Sequence, residues 1–79
     1  MWTQVNLRVF VPGKHEFCGW RNLALYFDEK MPQADIKQSV WNTLKYTDVK
    51  KCKVVSVEYI EPFEPDTSVF IVNRKGEFV

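Results

Sequence analysis

The sequence predicts an α+β domain: a mostly antiparallel sheet of four to five strands with one amphipathic helix on one face, in the order β-β-α-β-β-β. Three observations carry this. Residues 3–11 and 21–28 alternate between apolar and polar with period two, the mark of strands with one buried face. Residues 32–46 change to the helical period. Turn and breaker residues separate the segments: Pro12-Gly13, "EPFEPD" at 61–66, and Asn73-Arg74-Lys75-Gly76.

In the first strand Val5, Leu7, Val9 and Val11 share one face, and Gln4, Asn6, Arg8 and Phe10 the other. In the second, Leu23, Leu25 and Phe27 lie opposite Asn22, Ala24, Tyr26 and Asp28. "PGKHEFCGW" at 12–20 connects them as a long-looped antiparallel hairpin, beyond the usual two to five residues. In "PQADIKQSVWNTLKY", Ile36, Val40 and Leu44 recur every fourth residue and Trp41 widens the stripe. The helix is expected from about residue 33, with Pro32 suited to its first position. Asp35 and Gln38 resemble a capping box.

A third strand covers 52–60, with Val55, Val57 and Tyr59 on one face. Two prolines in 61–66 end it. "TSVFIV" at 67–72 is a fourth strand. Residues 73–76 read as a type I turn, with Asn first and Gly fourth. Glu77-Phe78-Val79 is a short closing strand.

The 79 residues suit one domain, 1–79. Its folded surface should be roughly 5,000 Å² by mass scaling. A standard interface takes about 800 Å² from each partner, so binding can be the whole task of so small a molecule. Charged residues make up 27% and net charge is +1, which argues against coating nucleic acid by charge alone. No apolar run suits a membrane span. "MWTQVNLRVF" lacks the basic and apolar regions of a signal peptide, which predicts a cytoplasmic protein with Cys18 and Cys52 as reduced thiols.

No residue pattern predicts catalysis, a metal or a cofactor. His15-x-x-Cys18 offers a base and a thiol but no third group to orient them. Cys52 stands between lysines without a second ligand at metal spacing. Neither GxGxxG nor GxxxxGK[ST] is present. The paired carboxylates of "EPFEPD" have no apolar pocket in the sequence to separate their pKa values.

The predicted function is therefore a non-catalytic protein-binding module. Five strands make a sheet roughly 20–24 Å wide. One helix, about 10 Å thick, roofs only two or three of them. The uncovered aromatic surface calls for a partner protein, and pairing of two copies is the simplest geometry. Phe10, Tyr26, Phe70 and Phe78 are the candidate homodimer residues. Phe17 and Trp20 of the hairpin loop, with Glu61, Phe63, Glu64 and Asp66 of the stiff acidic loop, are the candidate contacts to a larger partner. In size and lack of motifs the chain looks like the accessory and inhibitor proteins of phages and mobile elements, which cover a surface of a larger host protein in the host cytoplasm. The alternative is a small single-stranded nucleic-acid binder using Lys45, Tyr46, Lys50, Lys51 and Lys53, where charge follows phosphates and a ring stacks on bases.

Overall fold

The computed structural model describes every residue except 13–18, 65, 67, 68 and 79. The chain forms β1 (Trp2–Val11), β2 (Gly19–Phe27), α1 (Gln33–Leu44), β3 (Lys51–Ile60) and β4 (Ile71–Val72). The strands make one sheet in the order β3-β1-β2-β4. β1 is antiparallel to β2 and to β3, whereas β2 and β4 run parallel. The fold is α+β, with a mostly antiparallel mixed sheet.

Alternation does its expected work in the two central strands. Thr3, Val5, Leu7 and Val9 of β1 and Leu25 and Phe27 of β2 are buried. They pack with Ile36, Val40 and Leu44 of α1, with Met31 and with Val72. Thr3 is the polar member of this row. Its hydroxyl donates to the Glu29 carbonyl and accepts from the Met31 N–H, both at 2.8 Å, so the β2–α1 connection is stitched to β1. The Tyr59 hydroxyl donates to the Met31 carbonyl at 2.8 Å and ties β3 to the same connection.

Four local expectations need correction. First, Val55 does not share a face with Val57. The register shifts between Asn6 and Leu7: Ser56 lies opposite Asn6, and Val54 opposite Leu7. Val55 is the extra residue of a β-bulge and is 58% exposed. Cys52, Val54 and Val57 pack against the core instead. Second, Trp41 does not widen the buried stripe; it is 45% exposed. The stripe is Ile36, Ser39, Val40, Thr43 and Leu44. Its two hydroxyls are satisfied, Ser39 donating to the Arg74 carbonyl and Thr43 to the Ser39 carbonyl.

Third, Pro32 is the extended N-cap rather than the first helical residue, and no side chain caps the helix. Asp35 and Gln38 form no box. The Asp35 carboxylate takes the Arg74 guanidinium at 2.9 Å, and Gln38 donates to Asn42. Fourth, the end of the chain is less regular than five strands require. β4 has two residues, and Phe78 makes only an isolated bridge to Val72. The expected turn is present: the Gly76 N–H donates to the Asn73 carbonyl at 2.9 Å. Gly76 has φ +85°, and a Cβ there would lie 2.8 Å from the Asn42 backbone. The turn therefore packs directly on α1, and only glycine fits.

Candidate functional site

The helix lies over the middle of the sheet and leaves the β3 side open. A groove of about 800 Å³ runs between α1 and β3. Ile36 and Val40 from the helix and Cys52, Val54 and Val57 from β3 give it an apolar floor. Trp41 forms a wall. Its charged lining residues, Lys37 and Lys53, are both cations. Burial pushes the Cys52 thiol above its ordinary pKa, because a thiolate would lose hydration there. Cys52 is a free thiol held in its protonated, weakly nucleophilic form at neutral pH.

The opposite face of the sheet carries no helix. A polar strip crosses its centre: Gln4 donates to Asn6 at 3.1 Å, and Asn6 donates to Ser56 at 2.9 Å. At one end of the face Phe63 packs edge-on against Trp2 and Tyr26, with centroids 5.3 and 5.1 Å apart. The segment joining β3 to β4 must pass from one edge of the sheet to the other, and Phe63 pins it to the two central strands.

At the other end, the register sets Lys51 beside Phe10, Lys53 beside Arg8 and Trp20 beside Phe10. Residues paired across strands point to the same face. The Phe10 and Trp20 rings meet edge-on at 5.6 Å, and the Arg8 guanidinium stands 5.6 Å above the Trp20 ring. Trp20 is nonetheless 44% exposed.

The structure divides the expected contact residues. Phe17, with His15 and Cys18, lies outside the described residues. Glu61, Glu64 and Asp66 are exposed, while Phe63 is half-buried in its own aromatic cluster. Of the four candidate dimer residues, Tyr26 belongs to that cluster and Phe10 to the Trp20 pair. Phe70 and Phe78 are exposed and touch each other at 5.8 Å. The lysine cluster is split: Lys45 lies over the ring of Tyr46 just after α1, whereas Lys51 and Lys53 belong to β3. Among the described residues, no three His, Cys, Asp or Glu side chains come together as a metal would need. No described helix is long and apolar enough to cross a membrane.

Sequence reasoning missed the groove and the contact of Arg8 with Trp20. The groove needs the strand order, because it exists only where β3 is an edge. Arg8 was visible on the same strand face as Phe10, but its meeting with Trp20 depends on the hairpin register. No family model matches the chain, and no curated protein or solved structure matches it significantly.

Proposed function

We propose that this chain is a non-catalytic protein-binding module that seats a segment of a larger partner protein in the groove between α1 and β3. The observation that supports this reading is the apolar floor left open beside the edge strand. Ile36 and Val40 finish the core on one side, but Cys52, Val54 and Val57 are only partly covered on the other. The volume, about 800 Å³, suits several anchoring side chains. Trp41, exposed on the wall, is the type of residue that dominates binding energy at protein interfaces. The cationic rim selects a segment that carries carboxylates beside its apolar anchors. Glu61, Glu64 and Asp66 lie exposed in a separate acidic segment, available as a second contact to a basic surface.

In this role the protein covers part of a larger cytoplasmic protein and so inhibits or adapts it, in the manner of phage accessory proteins. It also pairs with a second copy through Phe70 and Phe78 beside the short β4 edge. Sedimentation tests the pairing: a species of 9.4 kDa at micromolar protein would remove it.

A photo-crosslinking residue in place of Trp41 tests the groove in the native cell. The expected result is one discrete adduct, lost when Val54→Arg fills the groove floor. Adducts only from a crosslinker placed at Asn22, on the far face of the sheet, would overturn the assignment.

A further inference from the structure

The open face of the sheet carries a second surface, which shares Lys53 with the groove rim. We propose that its Arg8–Trp20 end binds single-stranded nucleic acid, with phosphates on Arg8, Lys51 and Lys53 and a base stacked on Trp20.

The placement follows from the register. β1 is one of the two central strands; Arg8 and Phe10 project from it on the face away from α1, since their neighbours Leu7 and Val9 are buried under the helix. β3 contributes Lys53 beside Arg8 and Lys51 beside Phe10. β2 contributes Trp20 beside Phe10 and Asn22 beside Arg8. Paired positions have Cβ atoms about 4.5–5.5 Å apart, so three cations and two rings share a patch two strand-pairs across. Among the described residues no ion pair neutralises Arg8, Lys51 or Lys53. Among the paired strand positions of this face the carboxylate is Glu58, which stands opposite Gln4, beyond the Asn6–Ser56 strip. Charge is thus segregated along the face although the whole chain is nearly neutral.

Each part of the patch matches one part of the ligand. Cations follow the phosphates, and an exposed indole offers a π-face to a base of any sequence. Arg8 already stands over Trp20, so a phosphate that it holds brings the neighbouring base to the indole. Phe10 braces Trp20 from its edge and limits the entropy lost on stacking. A duplex fits poorly, since its grooves admit a protruding helix or a two-stranded ribbon, not a broad sheet face. The Lys53 side of the patch also borders the groove, because β3 is the sheet edge. Lys45 and Tyr46, the aromatic and basic pair next in sequence, are not part of it; they follow α1.

Fluorescence anisotropy with a labelled oligothymidylate tests the proposal in the intact chain. Three phosphate contacts predict a log–log salt slope of about −2, from roughly −0.7 per contact. Lys51→Glu with Lys53→Glu should reduce the slope to about −0.7 or less. Lys30→Glu with Lys75→Glu makes the same change in net charge off the patch and off the groove, and should leave affinity within about twofold of the wild type. Trp20→Ala should weaken binding about fivefold or more, and Trp20→Phe should recover most of the loss. Urea midpoints confirm that each variant is folded. Heparin, a polyanion without bases, should bind Trp20→Ala and the wild type equally. Absence of oligothymidylate binding by the wild type would overturn the proposal. So would equal loss in the two double variants, or insensitivity to Trp20→Ala.

Discussion

Phe63 meets Trp2 edge-on with centroids 5.3 Å apart, although sixty-one positions separate them in the chain. Tyr26 meets the same Phe63 ring edge-on at 5.1 Å. This contact fixes the β3–β4 connection across a sheet face that has no helix. Each such aromatic pair contributes about 0.5–1.5 kcal/mol beyond the area it buries. Phe63→Ala should therefore cost about 2 kcal/mol, less than for a fully buried ring because Phe63 is half-exposed. In a domain this small the melting temperature would drop by roughly 8–16 °C. An unchanged melting temperature would show that Phe63 serves a partner rather than its own fold.

The bulge in β3 gives a sharp contrast between adjacent residues. Val54 packs against the core, and Val55 is 58% exposed. Threonine keeps the branched shape and strand preference of valine, so a substitution isolates the burial of one hydroxyl. Val54→Thr should cost about 1–2 kcal/mol, and Val55→Thr should stay within about 0.5 kcal/mol. Urea denaturation of the two variants measures the difference. The reverse order, with Val55→Thr the costlier change, would mean that β3 continues in register past Asn6.

The same two valines show where sequence reading ends. β1, β2 and α1 were legible because each buries one side and so carries a periodic signal: Val5-Leu7-Val9, Leu25-Phe27, Ile36-Val40-Leu44. β3 is an edge strand with a bulge, and two neighbouring valines allow either phase of the alternation. Trp41 misled for a related reason. Hydrophobic pattern favours burying it, but the C-terminal turn packs by Ser39 and Asn42 and shifts the buried stripe to Ser39 and Thr43. Tertiary contacts between distant segments carry no local signature. The same is true of the Arg8–Trp20 contact, which joins two strands through their register.

The C-terminal turn should depend on backbone fit more than on charge. Arg74 reaches Asp35 at 2.9 Å and Glu29 at 3.4 Å, but all three side chains are about half-exposed. Water screens such pairs, and Arg74→Ala should cost no more than about 1 kcal/mol. Gly76→Ala combines a positive φ with a Cβ placed 2.8 Å from the helix backbone. It should cost about 2 kcal/mol or more. Thermal unfolding in low and high salt separates the two causes: only the Arg74 effect should shrink with salt. A salt-insensitive Arg74→Ala effect larger than that of Gly76→Ala would reverse the ranking.

Cys52 predicts the response of the fold to alkaline pH. Desolvation raises its pKa in the folded chain above the ordinary thiol value. In the window above the unfolded pKa, about 8.5, the unfolded chain loses this proton before the folded chain does. The unfolded state is then favoured, so stability falls as pH rises through the window; below it the thiol has no effect on the balance. Cys52→Ser has nearly the same shape and no ionisation in this range. Between about pH 8 and 10 the wild-type urea midpoint should fall more steeply than that of Cys52→Ser, while the two curves run parallel below about pH 7.5. Parallel curves throughout would mean that water reaches the groove floor freely at Cys52, which would also weaken the groove as a seat for an apolar segment.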